Sequence, residues 1–293
     1  MGVSLRRLAV IAPPLLWLLL FFALPILVVT AISLSRPVLG IPPYESLLDW
    51  PGPVFKGGLH NYRLLFGDSY YLQAFLGSLR IATLATLGCL LIGFPMALAI
   101  ARAPARHRMI LLVLLMVPFW TSFLVRTYAF ASLLNSNGLI NQLLQGLGLV
   151  EQPLQLLYTD FAVFLGIIYG YLPFMVLPIY AVVERQDPAL LEAAADLGAR
   201  PFRCFVDITL PLSMPGVLAG CLLVLIPALG EFVIPELLGG SDFLMMGRLL
   251  WLETFQNRDW PMAAALTVSL LVLVVGPVLV VQWLAERRGG QAA

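Results

Sequence analysis

Two acidic side chains, Glu231 and Glu236, sit at the end of an apolar run, Glu231 between Pro227 and Pro235 and Glu236 directly after Pro235. Carboxylates at membrane depth are costly unless a cation or a wet cavity satisfies them, so they mark a candidate passage for a positively charged solute. The prolines interrupt the helical hydrogen-bond ladder and free carbonyls that such a cavity must satisfy. Trp120, Tyr169, Tyr171 and Phe174 supply aromatic faces suited to the charge and the methylenes of an organic cation. A plainer arrangement stands beside this one. It puts both acids at the outer interface, paired with Arg248 or Arg126, and the aromatics in an ordinary interfacial belt. Arg80 and Arg126 lie near outer span ends, where long side chains snorkel to headgroups, and a structural role is expected of both.

Other chemistry is poorly supplied. Cys89, Cys204 and Cys221 have no metal-ligand spacing and make no even disulfide set. His60 and His107 are expected on opposite sides of the membrane, so they form no joint metal or catalytic site. The only lysine, Lys56, is followed by Gly57 and Gly58, where a phosphate-cradling loop needs Ser or Thr. No catalytic constellation, metal or cofactor is expected, and the chain has no P-loop with which to bind ATP.

The elements that must hold these residues are membrane spans. Of the 293 residues, 60% are hydrophobic and only 11% charged, and the mean hydropathy is +0.94. A soluble domain carries about 25% charged residues, so lipid is the solvent here. A net charge of +1 leaves no polyelectrolyte character for nucleic acid. The apolar stretches are continuous and not alternating, which argues against a transmembrane barrel.

The expected fold is an all-α integral membrane protein, one transmembrane domain over 1–293, with six spans near 8–34, 81–101, 109–125, 161–183, 214–235 and 262–285. The first span follows Arg6 and Arg7 but is too long for a signal h-region, so it is read as uncleaved. With both termini inside, ten of the 17 basic residues fall in the short inner segments. Their basic density is roughly threefold that outside, the direction the positive-inside rule requires. Outside, the Gly138–Leu149 stretch places Leu139, Leu143, Leu144 and Leu147 on one helical stripe suited to the interface.

The inner connection over 184–213 is long for a link between spans. Asp187-Pro188 reads as a helix start, with Asp as cap and Pro at the first helical position. Glu192, Ala193, Ala194, Ala195 and Asp196 follow, and Gly198 is expected to end the helix in a left-handed turn. A second short helix is expected from Phe202 to Leu210, ended by Pro211. The alanines permit close approach of another backbone.

Glu192, Ala193 and Ala194, then Gly198 after three residues, Ile208 after nine more, and Leu210-Pro211 after one resemble the EAA loop of ABC importer permeases. The resemblance implies a type I importer permease fold and a coupling helix that inserts into a groove on the cytoplasmic ATPase. Ser122 to Tyr128, Tyr171 to Pro178, Gly230 to Gly239 and Asp259 to Pro261 are similar to the first permease subunit of spermidine/putrescine importers. That likeness implies an inner-membrane subunit working with a second homologous permease, an ATPase dimer and an extracytoplasmic binding protein. An importer of another small solute, such as an opine, an amino-acid derivative, thiamine or an anion, stands as the alternative. A self-contained secondary transporter is disfavoured, because the spans hold no mid-span charge.

Overall fold

The computed structural model describes residues 5–49, 54–240 and 243–289. The fold is helical; a two-residue ladder, Leu48–Asp49 with Val54–Phe55, is the one named strand pair among the described residues. The chain divides into two compact units, one from Met1–Ala74 and Leu249–Ala293, the other from Phe75–Arg248.

In the first unit, the Leu5–Leu18 helix continues through a wider π turn, Leu19–Ala23, into Leu24–Ser33. The widened turn comes just before Pro25, whose ring would otherwise crowd the carbonyl one turn back. The span Val10–Ser33 buries none of its apolar window inside the protein, as a lipid-facing helix does. Trp260–Gly289 packs against Leu24–Ser33 and His60–Gly67. The C-terminal carbonyls of the first helix need donors, and buried Asn61 gives its amide to Ser33 and Ser35 O at 2.8 Å each.

In the second unit, Asp160–Val183 is the central helix, with 56% of its apolar window buried. Thr159 caps it by accepting the Ala162 N–H at 3.2 Å. Leu210–Leu229 packs along it through Gly216 and Gly220, a small-xxx-small pair. A Cβ at Gly216 would come 2.7 Å from the Pro178 carbonyl oxygen, and one at Gly220 would come 3.0 Å from that of Met175. Backbone cannot yield as a side-chain tip can, so only glycine fits there.

Among the described residues, four helices are long and apolar enough to cross a membrane: Val10–Ser33, Ser69–Arg102, Asp160–Val183 and Pro201–Leu229. The second starts well before residue 81, where the apolar run begins. A fifth candidate, expected as continuous over 109–125, is broken. Ala105–Trp120 and Phe123–Gly146 meet at 94°, because Val117–Trp120 tightens into a 3₁₀ turn and Thr121 and Ser122 are extended. The freed Pro118 carbonyl accepts from Thr121 Oγ1 at 2.7 Å and from Arg126 Nη1 at 3.0 Å. Trp260–Gly276 is a shorter apolar helix. Leu139–Gly146 is the expected amphipathic segment, with Leu139, Leu143 and Leu147 exposed.

Candidate functional site

The inner connection builds its first helix as its caps dictate. Asp187 Oδ1 accepts the Ala189 N–H at 3.0 Å, Pro188 opens the helix, and Pro188–Asp196 follows. Gly198 then turns the chain at φ +82°, while the Gly198 and Ala199 N–H groups close on the Ala195 and Ala194 carbonyls at 2.9 and 3.0 Å. The second helix does not end at Pro211. Pro201–Cys204 passes through a π segment, Phe205–Thr209, into Leu210–Leu229 without a break. The π turn lets the Leu210 N–H reach the Phe205 carbonyl and leaves room for the proline ring.

Glu192 and Ala193 are exposed, Ala194 is half-buried, and no residue of the first helix is buried. Leu197 and Phe202, on either side of the glycine turn, are 89% and 77% exposed. Ile208 is half-buried and lines a cavity of about 390 Å³ with Leu190, Leu191 and Leu212. Leu210 is half-buried and Pro211 exposed. The structure thus separates the motif into an outward half, Glu192 to Gly198, and a root, Ile208 to Pro211. At the root, Gln186 Nε2 donates to Ser213 Oγ at 3.0 Å. Beside it Arg108 grips Glu184 at 2.6 Å and donates to the Ala101 carbonyl. The Tyr180 hydroxyl, joined by that guanidinium, holds the Glu184 carboxyl below its ordinary value.

Gly198→Val tests the turn. Nothing lies within 4 Å of a Cβ built there, so any penalty comes from the left-handed backbone, about 1–2 kcal/mol for an ordinary residue. We expect uptake by the reconstituted complex to fall about tenfold and Gly198→Asn to retain most of it, since Asn tolerates this conformation. Unchanged uptake with valine would count against the turn's importance.

The second cluster lies in the Phe75–Arg248 unit. Glu231 is only 7% exposed. Its Oε2 accepts from the Tyr171 hydroxyl, and its Oε1 accepts the Val233 and Ile234 N–H groups at 3.0 and 3.3 Å. Among the described residues no ion pair reaches it. Glu236 differs: Arg248 Nε sits 3.1 Å from its Oε2.

The aromatics divide as well. Tyr171 lies 6.0 Å from Phe174, which meets Phe119 edge-on at 5.3 Å, and Tyr169 stacks on Phe130 at 5.3 Å. Trp120 is left out: it is 76% exposed, and no ring meets it among the described residues. Arg126 does not snorkel. It is 8% exposed, with its guanidinium 4.7, 5.4 and 6.0 Å from the Phe119, Phe123 and Tyr169 rings. A desolvated cation over such faces gains about 2 kcal/mol. Sequence reasoning passed over Phe119, Phe123 and Phe130, whose spacing about Arg126 is ordinary for a helix. It also passed over Glu253 in the other unit, 5% exposed and accepting from Tyr71 and Asn257 at 2.9 Å each; its partner Tyr71 is 182 positions away.

Comparison with known proteins fits these features. Residues 90–289 match the family described as binding-protein-dependent transport system inner membrane component. The spermidine/putrescine transport system permease protein PotB of Escherichia coli (strain K12) is 40% identical over 272 residues, 92% of this chain and 94% of that protein. The PotB protein of Haemophilus influenzae is 40% identical over 88% of this chain and 86% of its own length. In fold, the chain is similar to a subunit in the crystal structure of a bacterial ABC transporter that imports the acidic polysaccharide alginate. The TM-score there is 0.70 at 20% identity, covering 95% of this chain and 94% of the other.

Proposed function

Because the chain belongs to the family of binding-protein-dependent transport system inner membrane components, we propose that it is one of two permease subunits of an ATP-driven importer for spermidine or putrescine. The observation that carries the ligand class is Glu231, a buried carboxylate held by a tyrosine and two backbone N–H groups, with aromatic rings beside it. The 40% identity to a spermidine/putrescine permease over 92% of the chain supports the same class. The permease spans the membrane six times as a single domain over 1–293, with both termini and the 184–213 connection in the cytoplasm. On this reading the broken pair Ala105–Trp120 and Phe123–Gly146 serves as one span and the shorter apolar helix Trp260–Gly276 as another.

The Pro188–Asp196 helix docks in a groove on a cytoplasmic ATPase dimer. A nine-residue helix that buries nothing is marginal alone, and a partner groove would supply what its own fold does not. Glu192, Ala193, Ala194 and Gly198 form the contact, and Ile208, Leu210 and Pro211 root it in the Pro201–Leu229 helix. ATP-driven closure of the dimer then moves that helix and, through its glycine contacts, Asp160–Val183. An extracytoplasmic binding protein delivers the cation to the outer loops.

The test is initial-rate uptake of radiolabelled spermidine and putrescine into proteoliposomes holding the chain with its partner permease, ATPase and binding protein. ATP-dependent uptake of either is expected. A complex that moves a neutral or anionic solute and no polyamine would overturn the ligand class.

A further inference from the structure

The aromatic cluster already holds a cation. Arg126 is the buried arginine of the described residues, and three rings face its guanidinium. Two of those rings, Phe119 and Tyr169, also form part of the wall of a cavity of about 400 Å³ whose remaining lining is aliphatic and Met, including Leu111, Leu114 and Leu172. From Phe119 the rings run through Phe174 to Tyr171, whose hydroxyl donates to Glu231. An unbroken run of aromatic faces therefore joins the guanidinium to the buried carboxylate, beside a cavity lined for methylenes.

A guanidinium and an ammonium compete for the same π faces, and two unscreened cations in one apolar cage repel. We infer that Arg126 is a specificity-determining residue, a resident cation that fills the aromatic cage while the pathway is empty and that the cargo's ammonium group must displace. This rests on the reading of the chain as an organic-cation permease. Displacement keeps cargo binding weak, which a pathway needs if its solute is to leave as readily as it enters.

A purely structural Arg126, stapling the 94° break through the Pro118 carbonyl, makes the opposite prediction. Its loss should weaken binding, whereas loss of a competitor should tighten it. The measurement is equilibrium binding of radiolabelled putrescine to the purified complex of permeases and ATPases without binding protein. Arg126→Gln keeps a donor for Pro118 and removes the charge; we expect Kd to fall about tenfold. Arg126→Lys, which keeps the charge, should stay near the wild-type Kd. An unchanged or raised Kd in Arg126→Gln overturns the inference.

Should Arg126→Gln fail to assemble, Phe123→Leu decides. It strips a ring from the guanidinium and none from the cavity wall, so Kd should fall about threefold, and no change or weaker binding overturns the inference. Wild-type uptake of putrescine with the binding protein present is read separately. If it is absent, the functional reading fails; if it is intact while Kd does not move, only the role of Arg126 fails.

Discussion

Glu192→Lys yields a permease that folds and reaches the membrane but loses about tenfold or more of its ligand-stimulated ATP hydrolysis in the reconstituted complex. The side chain is exposed on a helix that buries nothing within this chain, so the substitution removes no internal contact. Reversing its sign places a repulsive charge in the proposed ATPase groove, and like-charge juxtaposition across an interface is costly. The neighbouring Ala193 and Ala194 allow the close approach that makes a charge there matter. Assembly is read by co-purification after mild crosslinking and coupling by stimulated ATP turnover. Wild-type turnover with Glu192→Lys would remove this helix from the coupling role.

Glu231→Gln lowers polyamine uptake about tenfold or more, with complex assembly and the binding protein's affinity intact. Glutamine has nearly the same shape. Its carbonyl still accepts the Val233 and Ile234 N–H groups that Glu231 accepts at 3.0 and 3.3 Å, so the local fold survives. What goes is a buried negative charge that no arginine or lysine neutralises among the described residues. An ammonium leaving water needs such a charge, since desolvating an unpaired cation costs several kcal/mol. Glu236→Gln serves as the control: that carboxylate is half-exposed and already engaged by Arg248 at 3.1 Å, so uptake should change about threefold or less. Full uptake by Glu231→Gln would return the residue to a purely structural part, capping the Val233–Leu238 turn.

Both predictions depend on residues that composition and spacing singled out, and they differ in how much the chain alone could say. The inner connection was legible nearly residue by residue. Asp187, Pro188 and Gly198 act on their own backbone within a few positions, and such local preferences need no distant partner. The Pro211 stop failed because a proline ends a helix only if its ring has no room, and the π segment Phe205–Thr209 makes that room. Nothing in the residue types announces a π turn.

Composition, with the length of the apolar runs, settles the solvent and the class of fold. A chain that is 60% hydrophobic and 11% charged must bury its surface in lipid, and continuous apolar runs must satisfy their backbone as helices. It also determined which acids and aromatics were candidates. How they pair depends on elements far apart in the chain. Glu231 meets Tyr171 across 60 positions while Glu236, five residues on, meets Arg248; Trp120 turns outward while Arg126, six residues on, is drawn inward. For Trp120 and Arg126 the deciding event was local in form and distant in effect: the 94° break between them re-aims the Phe123–Gly146 segment. Helical periodicity fixes a direction only while the helix continues. Past a break, the partner is chosen by whichever element packs there, and no pattern within one segment contains that information.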